Sequence, residues 1–186
     1  MAATLNWNLT ENATRSYLLA ETLAALQSDE QAQVKSSLET CGISDKHHHN
    51  LTEVLAALEA AHVSDRVKMD ARAVYQILAE AEASAHQCTV EETHFHEVGN
   101  GEAIRNVLGI CLAIEALDPQ TITATCVQTG SGKVQCAHGL LDIPAPATAA
   151  IIARGIPVCE TKLEGEWCTP TSAAVIFHFV DEYTHE

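Results

Sequence analysis

The chain has 186 residues and a mass of 20.0 kDa, the size of one ordinary domain with its own hydrophobic core. Hydrophobic residues make up 47% of the sequence and charged residues 19%, with nine Gly and five Pro, which excludes a disordered or fibrous protein. The formal net charge is −15, from 25 Asp and Glu against ten Lys and Arg. Such an excess of negative charge opposes a phosphate backbone, so no nucleic-acid partner is expected.

The sequence also bears on the compartment. No apolar stretch approaches the roughly 18 residues that span a bilayer, and the first residues lack the basic and apolar regions of a signal peptide. Seven Cys are scattered without a Cys-x-x-Cys pair, and we interpret them as reduced thiols. We therefore expect a cytoplasmic protein with no membrane partner.

The first half of the chain carries helical patterns. Leucines recur at helical spacing over residues 18–26, and a capping box of Ser28 with Gln31 starts a second helix. A third helix starts at Asn50, and a longer fourth runs from Ser64 to about His86. We predict four helices and no strand before residue 89.

After Thr89 the pattern changes to mixed α/β. An extended piece over residues 93–98 leads into Gly99-Asn100-Gly101 and a helix that Asp118-Pro119 ends. Strands are predicted at residues 122–127, at 133–137 returning beside the first, and at 156–161. Pro144-Ala145-Pro146 opens a short helix, and Thr169-Pro170 predicts a last helix to about Tyr183.

These patterns predict an α+β fold. The expected architecture is a single domain over residues 1–186, in which the helical N-terminal half packs on a small mixed sheet formed by the C-terminal half.

The first candidate for chemistry is His94-Phe95-His96-Glu97. In an extended segment, residues two apart point to the same side, so both imidazoles can turn toward one metal ion while Phe95 faces the core. Glu97 can orient a ligand imidazole or act as a catalytic base. The helix start at Asn100 and Gly101 can hold an anionic group such as a phosphate. A solvated His pair is the simpler alternative for His94 and His96.

Four other segments carry weaker signals. The run His47, His48 and His49 is either a hydrated loop or a metal-recruiting one, and His138 follows a predicted strand among small residues, as a catalytic side chain would. Gly130-Ser131-Gly132-Lys133 lacks the spacing of a phosphate-binding P-loop, so Ser131 lies either in a hairpin turn or against a substrate phosphate. Thr169 is by default a helix cap and secondly a ligand contact.

Taken in order, several segments resemble one family over about residues 46–183. They are 47–51, 79–82, 94–99, 130–132, 137–139, 144–149 and 169–171. Their order and approximate spacing are similar to the N-terminal part of the LarC-type nickel-insertion proteins, which complete the nickel-pincer nucleotide cofactor of lactate racemase. Residues 1–45 form a helical segment outside this resemblance.

The resemblance implies a cyclometallase, that is, a nickel chelatase of the lyase class. Nickel would be placed into pyridinium-3,5-bisthiocarboxylic acid mononucleotide, bonding to two sulfurs and a ring carbon in a CTP-dependent reaction. The resemblance then makes His94 and His96 the first metal ligands, and Glu97 and His138 the catalytic candidates. Asn100, Gly101, Ser131 and Thr169 would contact the mononucleotide.

The sequence departs from the family in ways that leave alternatives open. Family members begin with a strand and a loop resembling D-x-x-x-G-x-x-G-D-M, which residues 1–45 do not show, and Asn106 stands where a second helix Asp is usual. The nucleotide-binding domain of full-length members is also absent from these residues, so we expect a nickel-handling domain that acts with a separate nucleotide-binding subunit. The alternatives for the function are a paralogue that has lost catalysis and serves as a scaffold, and a metal-dependent hydrolase using His94 and His96. For the assembly, a homo-oligomer is left open.

Overall fold

The structure, a computed structural model, describes residues 3–136 and 139–184. Its helices are α1 (Arg15–Ala24), α2 (Ser28–Glu39), α3 (Leu51–Ala60), α4 (Asp65–His86), a short 3-10 helix (Val90–Glu92), α5 (Gly101–Leu117), α6 (Pro146–Ile152) and α7 (Pro170–Phe179). Its strands are β1 (Thr4–Trp7), β2 (Thr121–Ala124), β3 (Gly130–Ser131), β4 (Lys133–Cys136), β5 (Gly139–Asp142), β6 (Gly165–Glu166) and β7 (Glu182–Tyr183). The predicted α+β class is confirmed.

Side-chain caps set the helix starts where the sequence predicts them. The side chains of Asn50, Ser64, Asn100 and Thr169 accept hydrogen bonds from backbone N–H groups in the first turns of α3, α4, α5 and α7. The capping box of α2 is formed by Gln27 and Glu30, one residue before the predicted pair. Helix α7 ends at Phe179 rather than near Tyr183.

The main sheet is parallel and has the order β1-β2-β7. Leu5 of β1 lies opposite Ile122 of β2, and Ala124 of β2 lies opposite Tyr183 of β7. The prediction that the C-terminal half alone forms the sheet is therefore wrong, because β1 comes from residues 4–7. Leu5 and Trp7 are buried and alternate with exposed Thr4 and Asn6, but four residues are too short for this period to stand out.

Two predicted strands also differ. Strand β4 pairs with β5 in an antiparallel hairpin and does not return beside β2. Residues 156–161 form only an isolated bridge, between Val158 and Val127, because the segment pairs with the chain beyond the end of β2 and at a single residue. The backbone N–H groups of Val127 and Cys159 complete this bridge by donating to the carbonyls of Pro157 and Val127.

The cysteines also depart in part from the sequence prediction. Cys126 and Cys159 form a disulfide with their Cα atoms 5.1 Å apart, so the assignment of seven reduced thiols is wrong for this pair. The backbone bridge between Val127 and Val158 brings Cys126 and Cys159 together. The spacing of the cysteines in the sequence cannot reveal such a contact between distant segments. Among the remaining Cys, three are buried and two are half-buried. Of the helices described, none has the length and hydropathy that crossing a membrane would require.

Helices α4 and α5 carry the largest share of the core. Tyr75, Leu78, Ile104 and Leu108 are fully buried, and α4 packs against α3, α5, α6 and α7. The sheet joins this core through Trp7, whose side chain is 0% exposed. Its indole N–H donates to Thr22 Oγ1 at 3.1 Å, which ties β1 to α1.

We predict that Thr22→Val destabilises the protein by about 1–3 kcal/mol, because the isosteric change leaves the buried Trp7 indole N–H without an acceptor. The measurement is urea unfolding followed by circular dichroism. Thr40→Val is the matched control, because the hydroxyls of Thr22 and Thr40 each donate to the carbonyl four residues earlier in their helix. Thr40 is exposed, so its change should alter stability by less than about 0.5 kcal/mol. Equal effects of the two changes would contradict the role given to Thr22.

Candidate functional site

Residues 93–100, between the short 3-10 helix and α5, form a loop that a second loop, residues 44–49, holds in place. The predicted extended piece at 93–98 is irregular backbone and belongs to no strand. Phe95 N donates to His49 O at 2.7 Å, and His48 N donates to Gly99 O at 2.8 Å. Phe95 is 2% exposed and lies beside the Tyr75 ring, whereas His94, His96 and Glu97 are exposed. The alternation of histidines around a buried aromatic residue is therefore present without a strand.

The triplet at residues 47–49 belongs to this packing. His47 Nε2 lies 2.9 Å from Phe95 O, and His48 Nδ1 lies 3.3 Å from Gly99 O. His48 is 7% exposed, while the rings of His47 and His49 meet edge to face with 4.7 Å between centroids. The triplet thus contacts the backbone of the His94–Glu97 loop.

Glycines make the close approach of the two loops possible. A Cβ on Gly99 would overlap the carbonyl oxygen of His48, and a Cβ on Gly101 would overlap that of Ser44. Asn100 caps α5 by accepting from Ala103 N at 2.7 Å. The helix start that the sequence offers as a phosphate site, Asn100 and Gly101, is therefore packed against the Ser44 carbonyl.

A cavity of about 300 Å³ lies beside this loop, and we call it the His96 cavity. Its walls come from the C-terminal end of α4 and from the starts of α1, α6 and α7. Strand β6, the β4–β5 hairpin and the loop at 96–98 complete them. The ionisable side chains that line it are Arg15, Glu82, His86, His96, Glu97, Cys136 and Glu166. Two imidazoles, three carboxyl groups, a thiol and a guanidinium thus share one space.

The three carboxyl groups interact electrostatically. Burial raises the pKa of Glu82, and the charge of Glu97 raises it further against the opposing effect of His86. Burial likewise raises the pKa of Glu166, and Glu97 adds to that increase. Glu82 Oε2 lies 3.6 Å from His86 Nε2, one helical turn along α4. Glu82 and Glu166 therefore hold protons at a higher pH than an exposed glutamate does.

The structure brings some of the predicted site residues together and leaves others apart. His96, Glu97 and Thr169 line the His96 cavity, whereas His94 lies two residues away in the same loop and does not line it. Ser131 lies in β3, and its hydroxyl donates to Leu163 O at 2.9 Å. His138 falls outside the residues that the structure describes.

Five ionisable lining residues were not among the sequence candidates: Arg15, Glu82, His86, Cys136 and Glu166. Glu82 and His86 have the i, i+4 spacing that places two side chains on one helix face, which was a usable signal. Arg15 and Glu166 lie far from each other in the sequence, and only the fold brings them to the cavity. Within residues 3–136 and 139–184, no three His, Cys, Asp or Glu side chains are arranged to hold a metal ion.

A larger cavity, of about 690 Å³, lies at the carboxyl ends of β1, β2 and β7. Such ends are a common ligand site in parallel sheets. Its charged lining residues are Glu11 and Glu160, and the Cys126–Cys159 disulfide forms part of its wall. Because no imidazole, lysine or arginine of the described chain lines it, the smaller His96 cavity is better suited to a metal and an anionic substrate.

We predict that the double change Glu82→Gln and Glu166→Gln stabilises the protein above about pH 4.5 relative to the wild type. A carboxyl group whose pKa is raised in the folded state binds its proton more tightly there, so its stabilising contribution is complete below the unfolded pKa and is lost as pH rises through the folded pKa. The measurement is the free energy of unfolding, followed from about pH 4 to about pH 8. Exposed Glu39→Gln is the control, and a pH-independent difference would contradict the prediction.

Comparison with known proteins gives the family. The model of the family described as nickel insertion protein matches residues 2–186, including the first 45 residues, for which the sequence motifs showed no resemblance. The chain is 38% identical over 128 residues to the pyridinium-3,5-bisthiocarboxylic acid mononucleotide nickel insertion protein of Staphylococcus epidermidis, covering 69% of this chain and 32% of that protein. It is also 38% identical over 130 residues to the protein of the same name from Staphylococcus saprophyticus, covering 70% of this chain and 33% of the relative.

The chain spans about a third of the length of these curated relatives. No solved structure gives a significant match. Since the family model matches nearly every residue, the chain belongs to the nickel insertion protein family.

Proposed function

We propose that this chain handles nickel as the metal is inserted into pyridinium-3,5-bisthiocarboxylic acid mononucleotide, and that metal and nucleotide meet in the His96 cavity. One observation carries the proposal: imidazoles, carboxyl groups and a guanidinium line one cavity of about 300 Å³ in a chain of this family. Imidazole and carboxylate are suitable nickel ligands, and a guanidinium suits an anionic substrate.

The cavity residues divide the chemistry between them. His96 and His86 present imidazoles from two different elements, the 96–98 loop and the end of α4, and so give nickel its first protein contacts. Nickel is a substrate here, and the two substrate sulfurs and the ring carbon complete its coordination. A limited number of protein ligands fits a metal that must leave with the product.

Forming the bond between nickel and the ring carbon requires removal of the ring proton. Glu97 is the base in this proposal, because it lies next to His96 and interacts with both Glu82 and Glu166. The raised pKa values of Glu82 and Glu166 suit them to pass the proton on, since each binds a proton more tightly than an exposed carboxylate.

The activating nucleotide is bound outside these 186 residues in this proposal, whether in another subunit or in more of the same protein. The sequence has no P-loop, and its formal charge of −15 opposes a triphosphate. CTP-dependent activation therefore falls to a separate nucleotide-binding unit, and a catalytic role for His138 stays a prediction.

A second candidate is a scaffold that binds but does not catalyse. Residues 1–45 carry no D-x-x-x-G-x-x-G-D-M loop, and Asn106 stands where the resemblance leads us to expect a second helix Asp. The absence of these carboxylates favours a scaffold over a catalyst. Metal binding without turnover would support this candidate.

We predict that His96→Ala weakens Ni(II) binding by at least about tenfold, because changes even in residues that only orient metal ligands cost about 10- to 100-fold. Isothermal titration at neutral pH measures it. His94→Ala is the matched control from the same loop and should change the affinity by less than about threefold, since His94 does not line the cavity. Equal losses would restore the paired His94 and His96 site, and no binding by the wild type would refute nickel handling.

We also predict that the purified 186-residue chain neither hydrolyses CTP nor inserts nickel alone, because it lacks a triphosphate-binding loop. Phosphate release and the absorption of the nickel-bound nucleotide are the two readouts. Insertion that depends on adding a nucleotide-binding subunit is the expected positive control. CTP-dependent insertion by the isolated chain would show that it is a self-sufficient enzyme.

A further inference from the structure

We infer that Arg15, in the wall of the His96 cavity, recognises the phosphate monoester of the substrate. This inference rests on the proposed function and assigns the anion-binding role to a residue outside the sequence candidates. Among the described residues that line the cavity, Arg15 is the one that carries a permanent positive charge.

The charged groups of the cavity come from different elements. Glu82, Glu97 and Glu166 lie on α4, the 96–98 loop and β6, whereas Arg15 lies on α1. Arg15 also interacts electrostatically with the buried Tyr75, whose hydroxyl donates to Val98 O at 2.9 Å. A ligand that carries both a metal-binding group and a phosphate matches this combination of carboxyl groups, imidazoles and a guanidinium.

The guanidinium is held loosely enough to accept a ligand. Its acidic contact in the structure is Glu102 Oε1 at 3.8 Å, and the Glu102 side chain is 73% exposed while that of Arg15 is 25% exposed. A surface ion pair of this length contributes little to stability. A phosphate dianion can accept two hydrogen bonds from the N–H groups of the Arg15 guanidinium and can therefore displace Glu102.

The position of Arg15 in its helix points the same way. Arg15 is the first residue of α1, after the N-cap Thr14, and no acidic residue lies in that turn. A cation at a helix N-terminus is unfavourable, because it adds to the positive end of the helix dipole. A bound anion relieves this repulsion. Sequences break such local rules at functional sites.

The alternative anion site at the start of α5 is already occupied by protein. The Ser44 carbonyl packs on Gly101, and the Asn100 side chain accepts from Ala103 N. Asn100 Nδ2 also donates to Glu97 O at 2.7 Å, so both polar atoms of that amide are engaged. A phosphate at this point would have to displace backbone that the two glycines bring together.

The test compares nicotinic acid mononucleotide with nicotinic acid riboside, which differ only by the phosphate, in titrations against the full chain. Wild type should bind the mononucleotide about ten- to a hundredfold more tightly, the range expected for a hydrogen-bonded charge. Arg15→Ala should remove this preference and leave riboside affinity unchanged. Arg15→Lys should recover part of it, because lysine keeps the charge without the fork.

Arg66→Ala is the matched control, since Arg66 also lies in the first turn of a helix and pairs with Asp118, away from the cavity. It should keep the phosphate preference. Thermal unfolding of each variant checks the fold, and the partial recovery in Arg15→Lys keeps the test valid if Arg15→Ala is unstable. Retention of the preference in both Arg15 variants, or its loss in Asn100→Ala instead, would overturn the inference.

Ni(II) titration of the same proteins separates this inference from the proposed function. Arg15→Ala should bind nickel as the wild type does. If the wild type binds no nickel but loses its phosphate preference with Arg15, the inference stands and nickel handling fails. If nickel binds while the mononucleotide and riboside bind equally well, nickel handling stands and the role of Arg15 fails.

Discussion

The candidate site depends on the contact between two irregular loops, residues 44–49 and 93–100, and on the first residue of α5, Gly101. Two short backbone hydrogen bonds join them, from Phe95 N to His49 O and from His48 N to Gly99 O. Gly99 and Gly101 admit the facing carbonyl groups, which any side chain at either position would exclude. This contact fixes the backbone on both sides of His96, so the imidazole and the Glu97 carboxyl group are placed by packing rather than by a strand ladder.

Local signals in the sequence were enough to predict most helices, because a cap acts within its own turn. Asn50, Ser64, Asn100 and Thr169 each bond a backbone N–H three residues ahead, and each marks a helix start in the structure. Long-range pairing was not predictable in the same way. Strand β1 pairs with β2 across more than a hundred residues of sequence. The four residues of β1 are too few for their alternation of buried and exposed side chains to be recognised from the sequence.

The candidate site was predictable only where its residues belong to a local sequence motif. His96, Glu97 and Thr169 could be found because each belongs to a compact motif, and all three line the cavity. Arg15 and Glu166 could not, because α1 and β6 meet only after the chain has folded. Ser131 shows the limit of a motif taken alone: its hydroxyl bonds Leu163 O, and so it ties β3 to the segment before β6.

The charges that line the His96 cavity are brought together only by the fold. Arg15 is the first residue of α1 and contributes the guanidinium, and no acidic residue lies in that turn. The carboxyl groups Glu82, Glu97 and Glu166 come from α4, the 96–98 loop and β6. No single segment therefore carries both the guanidinium and a lining carboxyl group, and the mixed charge of the cavity depends on the packing of four separate elements around it.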